Sequence, residues 1–259
     1  MKIAIIGGSI AGCSTALALR DLDFDIQIFE RSHDSLIDRG NGIVMPAPLL
    51  ETLRQQQWID HDAPCLPLTS MHYSLLRKDY DPAGYPLWQR PMEAVAWHWG
   101  HLFSQLRKRI PDHHYHSGAA VTGVESNKSG IRLQLNGNRE YQADLVVFAD
   151  GLHSLGRQIV SPDSSPQYAG YVLWRGLLNE TPEVSRVFPS ATVTWHPFKG
   201  GLAGSYYIPS ESGDCHPGQR PRGPGTGGPH RHRALRSQPV ATRPLQAAGK
   251  GSPPLRPRH

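Results

Sequence analysis

The 259-residue chain carries 27 Lys and Arg against 22 Asp and Glu, a formal charge of +5, with a mean hydropathy of −0.44. That length can bury a sizeable core, and no apolar run approaches the roughly 18–20 residues a membrane-spanning helix needs. The basic excess sits over 221–259, where there are seven Arg, one Lys and no acid; the part before it, 1–220, with 19 basic and 22 acidic side chains, offers no basic surface for nucleic acid.

Three cysteines, Cys13, Cys65 and Cys215, are too few and too scattered for a disulfide framework and fit a reducing, cytoplasmic setting. The apolar run Ile3–Ile6 before Gly7-Gly8 is shorter than the roughly 7–15 residues of a signal-peptide core. It reads instead as a buried parallel strand.

In chain order, Lys2–Ile6 is expected as a strand, Ser9–Leu22 as a helix and Asp25–Glu30 as a second strand. Residues 31–46, rich in Gly and Asp, read as a loop, and Leu49–Trp58 as a helix introduced by Pro46 and Pro48. Strands are expected over Ser70–Leu76, Leu87–Met92 and Ala94–Trp97, followed by a helix over Trp99–Arg109. His113, His114 and His116 lie on a polar segment without metal-ligand spacing and read as a solvated loop, so no metal site is expected. Turn residues at 128–130 and 136–138 separate strands over Ala119–Glu125, Ile131–Leu135 and Asp144–Phe148. Ser154 caps a short helix ending at Val160, and strands are expected over Tyr168–Leu178, Ala191–Trp195 and Leu202–Ile208. Residues 221–259 hold eight Pro, six Gly and no Ile, Phe, Trp, Tyr or Met, and cannot bury enough apolar surface to offset the entropy of ordering.

Gly7-Gly8-Ser9-Ile10-Ala11-Gly12 follows a strand and opens a helix, as a dinucleotide-binding turn does. Ser9 replaces the middle glycine of the G-x-G-x-x-G pattern and is still small enough for close approach of a pyrophosphate. The helix N-terminus would face the phosphates. Glu30 ends the second strand at the spacing beyond Gly12 where a carboxylate can accept hydrogen bonds from an adenosine ribose. A second motif, Ala149-Asp150-Gly151-Leu152-His153-Ser154-Leu155-Gly156-Arg157, follows an apolar strand and places an acid beside a glycine turn.

Taken together, the glycine turn, Glu30-Arg31 and the Ala-Asp-Gly-x-x-Ser-x-x-Arg motif resemble the flavoprotein aromatic-ring hydroxylases of the para-hydroxybenzoate hydroxylase superfamily. Gly42-Ile43-Val44, His98-Trp99-Gly100-His101-Leu102 and the stretch Tyr168–Gly176 resemble its 2,6-dihydroxypyridine 3-hydroxylase branch. The resemblance covers about residues 1–220 and implies an α/β fold. A Rossmann-like (GR2-type) FAD-binding domain, residues 1–68 and 93–163, would be interleaved with a mostly antiparallel β substrate domain, 69–92 and 164–212, ahead of a disordered basic tail over 213–259. It further implies FAD along Gly7, Ser9, Ile10, Ala11 and Gly12, with the ribose on Glu30 and Arg31 alongside. Arg39 would stand near the phosphates or ribityl chain, the backbone of Val121 near the adenine, and Asp150 at the FAD and in nicotinamide-cofactor use.

The activity so implied is hydroxylation of a small aromatic or N-heteroaromatic ring with NAD(P)H and O₂, with no nucleic acid or membrane as partner and a homodimer left open. No catalytic acid or base stands out. Two other readings stay open: a non-catalytic flavin-binding remnant, and an NAD-dependent Rossmann oxidoreductase, since the turn alone does not separate FAD from NAD. The family's second Gly-Asp motif, late in the chain, has no counterpart here, and family-like text stops near Arg220. A truncated or frameshifted hydroxylase is therefore expected, with weak FAD binding and little hydroxylation.

Overall fold

The computed structural model describes residues 1–37, 41–76, 84–128 and 130–209. Its first unit is β1 (Lys2–Ile6), α1 (Ile10–Leu19) and β2 (Asp25–Glu30), as the apolar pattern requires. There follow β3 (Gly42–Pro46), α2 (Ala47–Gln55), β4 (Leu66–Leu75), β5 (Tyr85–His98) and α3 (Trp99–Arg107). The chain continues through β6 (Tyr115–Ser117), β7 (Val121–Asn127), β8 (Gly130–Leu135), β9 (Arg139–Ala143) and β10 (Leu145–Phe148). The last described elements are α4 (Leu155–Val160), α5 (Pro182–Val187), β11 (Thr192–Phe198) and β12 (Gly201–Ser205).

Three sheets result. A parallel sheet runs β10-β1-β2-β6, a five-stranded mixed sheet β12-β11-β4-β5-β3, and an antiparallel sheet β7-β8-β9. β1 is apolar at successive positions because both of its faces are covered. Ile3 and Ile5 pack among Cys13, Leu17, Leu102, Phe103 and Leu106 of α1 and α3. Ala4 and Ile6 face Leu133, Leu135 and Ala143 of the β7-β8-β9 sheet. Each fully buried isoleucine contributes about 1.5–3 kcal/mol of hydrophobic stabilisation, so the first strand is anchored independently of any ligand.

In the mixed sheet, β4 and β5 form an antiparallel hairpin, β11 joins β4 in parallel and β3 joins β5 antiparallel. The buried end of β5 ties this sheet to the nucleotide-binding half: Val95 and Trp97 pack with α2 and α3, while Ala94 and Ala96 pack with Leu66, Leu68 and Val193.

Four expectations change. The glycine-rich loop ends early, because Gly42–Pro46 pairs with Ala94–His98 as β3. Leu87–Met92 and Ala94–Trp97 belong to one strand, β5, with Pro86, Pro91 and Glu93 inside it. The histidine segment is not a solvated loop. Its residues 115–117 form β6, His116 stacks on Phe29 with ring centroids 5.1 Å apart, and its Nε2 lies 2.7 Å from Gln27 Oε1. Finally, Tyr168–Leu178 forms no strand; it runs irregularly with Tyr168, Tyr171, Val172, Leu173, Trp174 and Leu178 exposed, since no neighbouring strand among the described residues takes up its backbone groups. β4 and β5 run through positions 68/69 and 92/93, where domain boundaries are expected. The tail expected over 213–259 lies outside the described residues.

Candidate functional site

The glycine turn and the Asp150 motif, far apart in sequence, meet because β1 and β10 are adjacent parallel strands, Ile6 opposite Phe148. Gly7 adopts φ of 100°, a left-handed conformation that favours glycine, and its amide donates to the Phe29 carbonyl at 2.9 Å. A Cβ on Gly7 would stand 2.4 Å from the Ala149 oxygen and 2.9 Å from Asp150 Cα; one on Gly12 would stand 1.9 Å from the Gly7 oxygen. Both glycines are therefore required for strand, turn and helix to close on one another.

Ser9 occupies the N-cap position of α1 in extended conformation, and its hydroxyl makes no capping bond. Ile10, Ala11 and Gly12 open the helix, so their amides have no intrahelical acceptor and form the donor set at its positive end. Gly12 and Cys13 are buried while Ala11 is exposed, which leaves the mouth of the turn open to a ligand.

Glu30 is buried, and both its carboxylate oxygens accept backbone amides: Oε2 from Gly8 at 2.8 Å and Oε1 from Ser32 at 2.9 Å. It thus ties the end of β2 to the glycine turn, and it borders a cavity of about 230 Å³ lined also by Ser32, Leu36, Phe103, Arg107 and Tyr115 among others. Arg31 is exposed and makes no ion pair among the described residues. Val121 opens β7, just beyond Ala119, whose amide donates to the Glu30 carbonyl at 2.8 Å; that bond brings the Val121 backbone to the end of β2. Arg39 lies outside the described residues.

Asp150 has two unlike oxygens. Oδ2 accepts the Leu155 amide at 2.8 Å, supporting α4 together with the Ser154 hydroxyl, which accepts from the Arg157 amide at 3.3 Å. Oδ1 is buried and without a hydrogen-bond partner among the described residues. A buried carboxylate oxygen left unpaired is costly, and the Asp150 backbone lies directly beside Gly7. The cradle around Gly7 and Gly12, the free amides of α1 and this orphaned oxygen all fit a dinucleotide cofactor.

Residues that no motif marked complete the site. The Tyr115 hydroxyl donates to the Gly8 carbonyl at 2.9 Å, and burial, with Cys13 and Glu30 nearby, pushes its ionisation up. The Arg107 guanidinium stacks 4.1 Å from the centre of the Tyr115 ring. Cys13 Sγ also contacts the Gly8 carbonyl, at 3.2 Å, and burial pushes its thiol up to about 12. On the mixed sheet's side, Arg175 Nη2 donates to the Gly42 carbonyl at 3.2 Å, and a Cβ on Gly42 would stand 2.7 Å from Tyr206 Oη. These contacts gather β3, the Arg175 segment and residues 206–208.

No family model matches the chain. Among curated proteins it is 29% identical over 177 residues to the 2,6-dihydroxypyridine 3-monooxygenase of Paenarthrobacter nicotinovorans, covering 68% of this chain and 43% of that protein. It is 30% identical over 211 residues to the aurachin C monooxygenase/isomerase of Stigmatella aurantiaca, covering 76% and 52%. It is 28% identical over 255 residues to the 3-amino-4-hydroxybenzoate 2-monooxygenase of Streptomyces cremeus, covering 91% and 63%. The chain spans about half the length of the curated relatives it matches. The solved structure of 2,6-dihydroxypyridine-3-hydroxylase from Arthrobacter nicotinovorans superposes with a TM-score of 0.72 at 27% identity, over 82% of this chain and 53% of that one. The fold is also that of Klebsiella pneumoniae HpxO, solved with FAD and uric acid, at a TM-score of 0.65 and 22% identity over 79% and 52%.

The fold thus matches that of the 2,6-dihydroxypyridine-3-hydroxylase structure over most of this chain, the glycine turn lying in its first βαβ unit. The homologues of this chain are FAD-dependent monooxygenases, and 2,6-dihydroxypyridine 3-monooxygenase is among them in both sequence and structure.

Proposed function

We propose that this chain binds FAD through Gly7–Gly12, Glu30 and Asp150 and serves the hydroxylation of a small aromatic or N-heteroaromatic ring with NAD(P)H and O₂. The observation that carries the reading is the junction of Gly7 with Ala149 and Asp150, where the buried Asp150 Oδ1 lacks a partner. When bound, FAD supplies electron transfer from the nicotinamide and activation of oxygen. The protein's share is placement. Amides opening α1 would hold the diphosphate, Glu30 the ribose, the backbone near Val121 the adenine, and Asp150 a hydroxyl of the chain linking phosphate to flavin. Arg31, exposed next to Glu30, would lie alongside the ribose.

An NAD-dependent dehydrogenase is less well supported, because the relatives include an FAD-dependent monooxygenase and the similar solved structures include FAD complexes. A non-catalytic flavin-binding role is favoured by one observation: Tyr171, Leu173 and Trp174, in the stretch resembling the substrate region, are exposed at 71%, 72% and 81% and, among the described residues, enclose no cavity for a ring.

Among the described residues no helix is long and apolar enough to cross a membrane; the sparse cysteines support a reducing, cytoplasmic setting. Purified protein should show a flavin absorbance spectrum, or acquire one on titration with FAD. Substrate-stimulated NAD(P)H oxidation separates the hydroxylase from the non-catalytic reading. A chain that takes up no flavin at micromolar FAD would refute both.

A further inference from the structure

The Gly8 peptide, in the middle of the turn, is held from three sides by groups outside the glycine motif. The Gly8 amide donates to Glu30 Oε2 at 2.8 Å, while its carbonyl accepts from Tyr115 Oη at 2.9 Å and from Cys13 Sγ at 3.2 Å. A Cβ on Gly8 would stand 2.4 Å from Tyr115 Oη and 2.8 Å from Glu30 Cβ, so the tyrosine hydroxyl sits directly against the turn. Tyr115 is itself fixed. Its backbone is in register with Ile28 of β2, and its ring lies under Arg107, whose guanidinium is anchored by the Ile110 carbonyl at 2.8 Å and Asp112 Oδ1 at 2.7 Å.

The orientation of this peptide matters for an anion. A turn that presents helix-opening amides to a diphosphate must keep its carbonyls turned away, since a carbonyl dipole aimed at the phosphates repels them. Gly8 has the backbone freedom to flip, and the neutral thiol of buried Cys13 is a weak donor. The phenol is the strong donor on that carbonyl.

We propose that Tyr115 is the positioning residue of the phosphate-binding turn: its hydroxyl holds the Gly8 carbonyl on the buried side, leaving the amides of Ile10, Ala11 and Gly12 directed at the diphosphate of an adenine dinucleotide. The proposal rests on the flavin-binding reading above. It makes Tyr115 part of the machinery that binds the ADP half of the cofactor, with no role at the ring.

The test is Tyr115→Phe in the full chain, which removes the hydroxyl and keeps the ring beneath Arg107. Affinities for ADP and for FAD, by calorimetry and flavin titration, should both fall about 5–20-fold, in line with loss of a buried hydrogen bond. Hydrogen exchange of the ligand-free variant should accelerate about tenfold at the Gly8 amide, which Glu30 Oε2 holds, and stay unchanged in β1 and β2, which a general loss of stability would not produce. Parent-like ADP affinity, or parent-like exchange at the Gly8 amide, overturns the proposal while leaving the flavin reading intact. A parent chain that binds neither ADP nor FAD overturns both. If Tyr115→Phe fails to fold, 3-fluorotyrosine at position 115 preserves ring and hydroxyl; its ¹⁹F resonance should shift on addition of ADP, and an unmoved resonance overturns the proposal.

Discussion

Gly12 and Gly7 touch through backbone alone: a Cβ on Gly12 would stand 1.9 Å from the Gly7 carbonyl oxygen. No rotamer relieves that contact, because the added atom is fixed to the backbone. Gly12→Ala should therefore push α1 off β1 and cost about 1–3 kcal/mol of stability, the range of strained core insertions. Urea unfolding followed by far-UV circular dichroism measures it, and an unchanged midpoint would show that the helix can shift freely.

Asp150 gives one oxygen to a helix amide, and the other has no partner among the described residues. Asp150→Asn can keep an amide oxygen on the Leu155 N–H while placing a donor where the bare Oδ1 now lies. The expected result is a folded protein within about 1 kcal/mol of the parent, with FAD affinity reduced roughly tenfold or more through loss of a charged acceptor. Equal flavin affinity in parent and variant would remove Asp150 from the site.

Asp60 joins the segment after α2 to the end of α3. Its carboxylate accepts from Lys108, and from Arg109 at 2.7 Å, and these hydrogen bonds hold its pKa at about 2 against an ordinary 3.8. A depressed folded-state value means that the pair's stabilisation is present in full above about 3.8 and is lost as pH falls toward 2. The Asp60 side chain is 39% exposed, so solvent screening limits the gain to a few tenths of a kcal/mol, at most about 1. Asp60→Asn should lower stability by that amount at pH 7, with the difference from the parent shrinking between pH 4 and pH 2. A difference that persists undiminished at pH 2 would point to packing instead of charge.

Cys13 is fully buried, and its thiol is raised to about 12 by that burial, so almost no thiolate exists at neutral pH. In the native protein it should resist a thiol-specific reagent at pH 8 and react in step with global unfolding. Cys65 is partly exposed, and burial raises its thiol as well, so it should react slowly without unfolding. Mass spectrometry of timed labelling assigns the two, and rapid native modification of Cys13 would contradict the packing of α1.

The opening segment Met1–Glu30 is legible because three local signals agree there: an apolar strand, glycines at a turn and a carboxylate closing the second strand. The Ser154 cap is legible for the same reason, since capping is chemistry between neighbours. β3 and β6 are not. Gly42–Pro46 is short and glycine-led, and Tyr115–Ser117 is three residues with a histidine at its centre, so each owes its strand geometry to a partner distant in sequence. Tyr168–Leu178 shows the converse, a β-like composition with no strand beside it among the described residues. Tyr115 itself escapes a reading by motif because its partner, Gly8, is remote in the chain and no spacing rule connects them.

The central strand of the parallel sheet is flanked by β2, which follows it almost at once, and by β10, whose Leu145 pairs with Ile3. A ribosome must therefore deliver everything from β2 through β9 before β1 loses its open edge, and the whole β4-β5 hairpin emerges in between. The hairpin's contacts are local and form early; the nucleotide sheet closes late, at the cost of a long loop. Until then the β1 flank that will receive Leu145–Phe148 offers unpaired amides and carbonyls to any passing strand. Yield of folded protein should accordingly depend on how quickly β9 and β10 follow, and chaperones that shield nascent strands should matter most during that interval.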